Sequence, residues 1–187
     1  MTRIVAGTLG GRRLETPPGA GTRPTSDRVR EALFSRVESL LGGLTDAEVL
    51  DLFAGSGAVG LEALSRGAAR AVLVESDRRS AAVVRRNADA LGVADRAEVL
   101  GRRVERIVTE APRVVADLVF ADPPYAADAT VLRDALAAAL AGGWCAPGAL
   151  LVVERSTRAE AWRFPDGVVD AGERRYGQTT LWYGRRA

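Results

Sequence analysis

The sequence predicts an α/β protein whose mostly parallel, seven-stranded sheet is covered by helices on both faces. Apolar strands alternate with helical stretches from residue 48 to residue 154, which is typical of parallel strands joined by crossover helices. Two further strands close the chain with no helix between them, so an antiparallel hairpin is expected at the end of the sheet. With 187 residues, the chain has the length of one ordinary domain.

A small extension is predicted over residues 1–24, ahead of the main domain at 25–187. Residues 3–6 and 12–15 flank a glycine-rich turn, which indicates a β-hairpin. Prolines and glycines then form an irregular linker at 16–21. The extension is therefore expected to consist of a hairpin and a linker.

The main domain begins with an amphipathic helix. Thr25, Ser26 and Asp27 are typical of a helix start. Apolar residues then recur at helical spacing as far as Leu41, and Gly42 follows as a stop signal.

Strands and helices alternate through the central part of the chain. Strands are predicted at 48–53, 70–75, 97–100, 117–121 and 149–154. The helices between and after them are predicted at 58–66, 77–91, 102–111 and 128–141. The closing hairpin is predicted at 168–175 and 179–185.

The composition excludes several kinds of chemistry. Histidine is absent and Cys145 is the only cysteine, which excludes an internal disulfide, CxxC metal sites, most zinc sites and histidine-dependent nucleophiles. Apolar residues make up 47% of the chain, yet no apolar run approaches the roughly 18 residues of a membrane span. No signal-peptide pattern follows Met1. We therefore expect a cytoplasmic protein with no metal and no membrane partner.

Positive charge is concentrated near the N-terminus. The net charge of the chain is only +2, but its first 36 residues hold seven arginines against three acids. That excess is a candidate phosphate-binding surface. Arg28 and Arg30 lie in the first turns of a predicted helix, where the helix dipole disfavours cations; this favours a role toward a partner, with a solvated helix face as the alternative. The candidate contacts are Arg3, Arg12, Arg13, Arg23, Arg28 and Arg30.

A glycine-rich turn joins the first central strand to its helix. Gly55, Gly57 and Gly60 match the G-x-G-x-x-G spacing of dinucleotide-binding turns, and Glu75 lies 20 residues after Gly55. Such glycines let the backbone approach a ligand, and the helix N-terminus offers free N–H groups. The glycine spacing alone is therefore also consistent with a nicotinamide-dependent oxidoreductase.

Asp51 favours a different cofactor. It lies within the strand end, four residues before the first glycine, where a dinucleotide-binding strand is normally apolar. A carboxylate there suits S-adenosylmethionine, which carries an ammonium and a sulfonium group and no phosphate. Glu75 ends the next strand, where its two oxygens can accept hydrogen bonds from both ribose hydroxyls.

Residues 48–154 therefore resemble the cofactor-binding half of class I methyltransferases, with their Rossmann-like sheet. The resemblance implies S-adenosylmethionine as cofactor and the binding residues Asp51, Phe53, Gly55, Gly57, Glu75 and Ser76. Many enzymes of this class place an Asp or Asn after the third strand to contact adenine, but residues 100–103 offer neither. We expect a backbone N–H near Arg102 to make that contact.

The segment Asp122-Pro123-Pro124-Tyr125 follows a buried strand and resembles the motif of methyltransferases that act on the exocyclic amines of bases. Such an amine is a poor nucleophile because its lone pair is delocalised into the ring. The resemblance implies that the Asp122 carboxylate and the Pro123 carbonyl hold the two N–H bonds and aim the lone pair at the methyl group. Pro124 stiffens the corner. Tyr125 offers a ring on which an extruded base can stack.

The two ends of the chain narrow the family. The segments at 3–7, 11–14, 23–34 and 175–183 are similar to those of RsmD-type 16S ribosomal RNA guanine-N2 methyltransferases. The resemblance implies methylation of one guanine, customarily numbered 966, in 16S ribosomal RNA, within a 30S particle or assembly intermediate. It also implies a monomer, with the N-terminal arginines in contact with RNA.

Three alternatives stay open on the sequence. A DNA adenine-N6 methyltransferase shares the Asp-Pro-Pro-Tyr motif, and only the resemblance at the chain ends argues against it. A nicotinamide oxidoreductase explains the glycines but not the residues from Asp122 to Tyr125. A non-catalytic RNA-binding protein explains the arginines, but it is not expected to keep Asp51, Glu75 and Asp122 together.

Overall fold

The structure, a computed structural model, describes residues 2–17, 26–124 and 128–187. Within these residues the elements, in chain order, are β1 (Thr2–Arg3), β2 (Arg13–Leu14), α1 (Asp27–Leu41), β3 (Glu48–Asp51), α2 (Ala58–Ser65), β4 (Arg70–Val74), α3 (Arg78–Leu91), β5 (Ala97–Leu100), α4 (Val104–Ile107), β6 (Ala116–Ala121), α5 (Ala129–Ala141), β7 (Cys145–Ser156), β8 (Val168–Tyr176) and β9 (Thr179–Arg186). No helix in these ranges combines the length and the apolar character that crossing a bilayer requires.

Strands β3 to β9 form one seven-stranded sheet in the order β5-β4-β3-β6-β7-β9-β8. The first five strands in that order are parallel, and β9 runs antiparallel between β7 and β8. Apolar side chains pack on both faces, with Phe120 and Val152 in one cluster and Val119 and Val153 in the other. The predicted mostly parallel sheet with a C-terminal antiparallel hairpin is confirmed.

The strand order contains a topological switch between β3 and β6. From β3 the chain moves outward through β4 and β5, and then crosses back to β6 on the opposite side of β3. In open α/β sheets a crevice forms at this point, outside the carboxyl ends of the strands. Because Asp51 ends β3 and Asp122 follows β6, the fold brings both predicted acids to that crevice.

The helix predicted at 102–111 is only a single turn, α4. The Glu110 N–H donates to the Ile107 carbonyl at 3.0 Å, a three-residue spacing that tightens the backbone beyond an α-helix. The Thr109 hydroxyl also donates to the Arg106 carbonyl at 2.9 Å, in competition with a continued helix. The predicted helix was therefore too long.

Strand β7 is longer than predicted, since it begins at Cys145 and not at residue 149. Its register against β6 shifts between Ala116 and Leu118, so the early part of β7 contains extra residues in a bulge, Pro147 among them. Proline is rare within strands, and a bulge interrupts the alternation of inward and outward side chains. The sequence pattern therefore did not predict the first part of β7.

The N-terminal hairpin is present and packs on helix α2. Strands β1 and β2 pair antiparallel, and Ile4 and Leu14 are buried in the same apolar cluster as one face of the sheet. The backbone N–H groups of Val5 and Ala6 donate to the buried Glu62 carboxylate at 2.7 and 2.9 Å. The hairpin therefore shares the core of the main domain. The boundary predicted after residue 24 lies outside the described residues.

The turn of this hairpin lies directly against the end of α2. Gly7 has a φ of +81°, and a Cβ there would lie 2.0 Å from the Ser65 carbonyl oxygen. The Thr8 N–H donates to that oxygen at 2.8 Å, and the Leu9 N–H donates to the Ser65 hydroxyl at 3.0 Å. Only glycine fits this approach, which holds the hairpin in one position.

Candidate active site

Three acids lie close together at the carboxyl edge of the sheet. Ala121 pairs with Val153 in the parallel register of β6 and β7. The residues that follow them, Asp122 and Glu154, are therefore neighbours. Asp51 ends the adjoining strand β3, on the other side of β6. The carboxyl edge formed by β3, β6 and β7 is thus acidic.

Asp51 is buried, with 1% of its surface exposed. Its Oδ2 accepts a hydrogen bond from the Gly60 N–H at 3.2 Å, whereas its Oδ1 has no hydrogen-bond partner among the described residues. Burial raises the pKa of this carboxyl to about 7, although N–H groups of Gly60 and Phe53 lower it and nearby Glu75 raises it further. A buried carboxylate oxygen without a donor is suited to a cationic ligand group. This fits the ammonium group of S-adenosylmethionine.

The three glycines of the turn differ in whether a side chain would have room. There is open space at Gly55, whereas neighbouring side chains occupy it at Gly57 and Gly60. A Cβ at Gly55 would meet no atom within 4 Å, so a ligand can approach there. At Gly57, the N-cap of α2, a Cβ would lie 2.9 Å from Val84, and at Gly60 it would lie 2.7 Å from Leu73. The last two glycines therefore serve the packing of α2, and Gly55 is the one open to a ligand.

Glu75 tethers the glycine turn to the end of β4. Its Oε2 accepts from the Gly55 N–H at 2.9 Å, and its Oε1 accepts from the Asp77 N–H at 2.8 Å. The carboxylate lies partly exposed at the edge of the crevice, and Ser76 beside it is exposed. Phe53 is half-buried against the core on the other side of the turn. The predicted cofactor residues around this turn are thus brought together.

The Arg102 backbone and side chain both donate hydrogen bonds within the chain. Its backbone N–H already donates to the Leu100 carbonyl at 2.9 Å. Its guanidinium forms two hydrogen bonds with the Glu110 carboxylate, at 3.0 and 2.5 Å. The Arg102 N–H is therefore already used within the chain, and the contact of adenine with a backbone N–H near Arg102 stays a prediction.

Asp122 and Pro123 line a partly open cleft, together with Glu154, Arg155 and the residues that follow β7. The pKa of Asp122 is raised well above its ordinary value, chiefly by burial and then by the negative charges of Glu154 and Asp51. Pro123 is buried and Pro124 is exposed. Tyr125 lies outside the described residues, so its stacking role stays a prediction.

Glu154 is a site residue that the sequence predictions missed. It is 8% exposed, and one of its carboxylate oxygens lies 3.3 Å from the Thr179 hydroxyl, which donates to it. A signal was present, because the apolar run of β7 leads into this acid just as β3 leads into Asp51 and β6 into Asp122.

The N-terminal arginines divide into exposed and buried residues. Arg3, Arg12, Arg13 and Arg28 are exposed, so they are available to a partner. Arg3 donates to the Asp27 carboxylate at 2.9 Å, which balances part of its charge. Arg23 lies outside the described residues.

Arg30 is completely buried. Its guanidinium donates to the Asp27 carboxylate at 2.9 Å and to the Arg3 carbonyl, and its Nε lies 3.7 Å from Glu62. This burial contradicts the prediction that Arg30 contacts RNA. The carboxylates of Asp27 and Glu62 compensate the positive charge of Arg30 in the first turns of α1, so no external partner is needed to explain it.

The fold and the crevice define a class I methyltransferase, the class whose methyl donor is S-adenosylmethionine. The seven-stranded order with its antiparallel β9, the glycine turn after β3 and the buried Asp51 all belong to that class. The family model described as "Conserved hypothetical protein 95" matches residues 2–185, and the chain belongs to that family.

Curated relatives carry the name ribosomal RNA small subunit methyltransferase D. The protein of Escherichia coli strain K12 is 40% identical over 152 residues, covering 81% of this chain and 73% of the relative. The protein of Haemophilus influenzae is 35% identical over 154 residues, covering 81% and 77%. The predicted resemblance to the RsmD-type family is confirmed.

Solved structures show the same architecture. The yhhF protein of Escherichia coli has a TM-score of 0.86 and 35% identity, with 99% of this chain and 97% of that chain covered. A hypothetical protein of Thermus thermophilus has a TM-score of 0.81 and 34% identity, with 98% of each chain covered. The agreement extends over the N-terminal hairpin as well as the sheet.

Proposed function

We propose that this protein methylates the exocyclic N2 amine of a guanine in 16S ribosomal RNA, at the position customarily numbered 966. The names of the curated relatives support ribosomal RNA as the substrate. The observation from this chain that carries the proposal is the placement of Asp122 and Pro123 on a cleft at the carboxyl ends of β6 and β7, one strand away from the buried Asp51.

Asp51 and the glycine turn hold the cofactor in this proposal. The Asp51 Oδ1, which lacks a donor among the described residues, accepts from the ammonium group. Gly55 provides the open approach, and Glu75 receives the ribose hydroxyls on lone pairs that its two backbone donors leave available. Phe53 and Ser76 border the same space. The bound cofactor supplies an electrophilic methyl group.

Asp122 and Pro123 orient the amine. The carboxylate and the carbonyl each accept one N–H of the guanine N2 amine, which localises the lone pair on nitrogen and directs it at the methyl group. The nitrogen gains a methyl group and loses one proton, and the Asp122 carboxylate is positioned to accept it. Tyr125 stacks on the extruded base, and Arg3, Arg12, Arg13 and Arg28 contact RNA phosphates.

Cofactor binding should release a proton from Asp51 near pH 6. Its pKa of about 7 means that this carboxyl is mostly protonated at pH 6 in the free protein. A neighbouring ammonium group stabilises the ionised form and lowers that pKa, so the proton leaves on binding. Calorimetry at pH 6 in two buffers of different ionisation enthalpy measures the number of protons released. Asp51→Asn should release none, and equal release by both proteins would assign the linked proton to another group.

The central experiment is methyl transfer from labelled S-adenosylmethionine to 30S particles that lack the modification and to naked 16S RNA. Digestion of the product to nucleosides should place the label in N2-methylguanosine. Comparing the two substrates shows whether an assembled particle is required. Label in N6-methyladenosine, or label transferred to DNA and not to RNA, would support the adenine methyltransferase alternative and overturn the proposal.

A further inference from the structure

A second buried acid faces the cleft beside Asp122. Glu154 is the neighbour of Asp122 across the parallel pairing of β6 and β7, and it lines the same cleft as Pro123. Only 8% of its surface is exposed. Its hydrogen bond from the Thr179 hydroxyl fixes the side chain from the β9 side.

Glu154 is buried and Asp122 is half-buried, so two neighbouring carboxylates face one cleft. Each carboxylate loses hydration on burial, and the two negative charges repel each other. The effect is evident at Asp122, whose pKa is raised by burial and by the charge of Glu154. A ligand that presents two hydrogen-bond donors side by side matches two neighbouring carboxylate acceptors. The pair therefore indicates the donor pattern of the bound base.

We propose that Glu154 is a specificity-determining residue that accepts a hydrogen bond from guanine N1–H while Asp122 and Pro123 hold the N2 amine. This inference rests on the proposed function. Guanine carries the N1–H donor directly beside its N2 amine, so two neighbouring carboxylates match its edge. Adenine carries a lone pair at N1 beside its N6 amine, and the Glu154 carboxylate repels that lone pair.

The base analogue 2-aminopurine isolates this contact. It keeps the 2-amine that accepts the methyl group, but its N1 is a lone pair and not a donor. Sites built to hydrogen-bond a particular group discriminate strongly against an analogue that lacks it, because their own polar atoms are then left unpaired. The wild-type protein should therefore methylate guanine at least about a hundredfold faster than 2-aminopurine at the same position.

The test uses 16S RNA ligated from synthetic segments, with guanine or 2-aminopurine at the target position, and assembled into 30S particles. Single-turnover rates with labelled cofactor are measured for the wild type, for Glu154→Gln, and for the control Glu160→Gln, which changes an exposed acid in the segment after β7. The amide of Glu154→Gln can donate to the N1 of 2-aminopurine. Glu154→Gln should therefore lower the ratio of the guanine rate to the 2-aminopurine rate by about tenfold or more, and the control should leave that ratio unchanged.

The ratio of the guanine rate to the 2-aminopurine rate distinguishes a loss of base selection from an equal loss of activity on both bases. A purely structural role for Glu154 would lower both rates equally, and an unchanged ratio in Glu154→Gln overturns the inference. Glu154→Ser removes the carboxylate independently, so the same narrowing is expected there if the glutamine variant fails to fold. If the wild type modifies adenine and not guanine, the proposed function is wrong. If it modifies guanine but Glu154→Gln leaves the ratio of the guanine rate to the 2-aminopurine rate unchanged, only the inference about Glu154 is wrong.

Discussion

Replacing Asp122 by alanine should slow methyl transfer on the order of a hundredfold, because it removes one of the two acceptors that we propose orient the amine. The Pro123 carbonyl keeps the second acceptor in place, so some activity should persist. Cofactor affinity should change little, since Asp51, the residue proposed to hold the ammonium group, lies on another strand. Single-turnover rates and calorimetric affinities for the same protein samples measure the two effects separately.

Asp122→Asn and the exposed Asp134→Asn on α5 are the controls for this experiment. The asparagine at 122 retains an oxygen acceptor without the charge, so its rate should fall between those of the wild type and Asp122→Ala. Asp134→Asn should match the wild type. If Asp122→Ala methylates as fast as the wild type, Asp122 does not orient the amine and the proposed mechanism is wrong.

The same carboxyl should make the rate depend on pH. The pKa of Asp122 is raised above its ordinary value, chiefly by burial, and in the proposed reaction the ionised form accepts the amine N–H. The rate should therefore fall as the pH decreases through that raised pKa, because protonation removes the acceptor. Asp122→Asn, which cannot titrate at this position, should lose this part of the pH profile.

Glu62→Ala should destabilise the fold by roughly 3–5 kcal/mol, the range found when one partner of a buried charge pair is removed. The Glu62 carboxylate is completely buried and accepts from the N–H groups of Val5 and Ala6. It also accepts from the Arg66 Nε at 3.0 Å and lies 3.7 Å from the Nε of the buried Arg30. The alanine leaves the N–H groups of Val5 and Ala6 and the Arg66 Nε without this acceptor, and it leaves the buried Arg30 without its neighbouring negative charge. Urea-induced unfolding measures the change in free energy.

Glu31→Ala is the matched control for the stability measurement. Its carboxylate also pairs with Arg66, at 2.9 Å, but its side chain is 52% exposed. Solvent-exposed ion pairs contribute roughly 0–1 kcal/mol, so the loss should be small. Similar losses in Glu31→Ala and Glu62→Ala would show that burial of the carboxylate does not decide the outcome.

These contacts change how the N-terminal segment should be tested for RNA binding. The hairpin supplies Ile4 and Leu14 to the core and two donors to Glu62, so deleting it would unfold part of the domain. Substitution of the exposed Arg13 and Arg28 removes charge without removing these contacts.

Asn87 links the hairpin to the cofactor turn. Its side chain accepts from the Glu15 N–H at 2.8 Å and donates to the Ser56 carbonyl at 2.9 Å. The N-terminal segment therefore braces the glycine turn as well as the core. Nothing in the local sequence around Asn87 indicates this connection.

The sequence by itself determined the order of elements and the two acids of the main site. Strand and helix periodicities act locally, so alternation from residue 48 to 154 was sufficient to predict a parallel sheet. Asp51 could be recognised from its position at a strand end, because parallel strands end on one edge, whereas Asp122 was recognised from the resemblance of its Asp-Pro-Pro-Tyr segment to a known motif. Local pattern failed at α4 and β7, where side-chain hydrogen bonding and a bulge overrode it.

Only the tertiary structure decided which charged residues face a ligand and which are buried inside the protein. Arg30 belongs to the core because Glu62, 32 residues away, lies against it, and helix position gave no indication of that contact. Glu154 belongs to the site because β7 pairs with β6 in a register that places it beside Asp122. Burial and charge repulsion arise between segments distant in the chain, and they exist only once those segments have packed together.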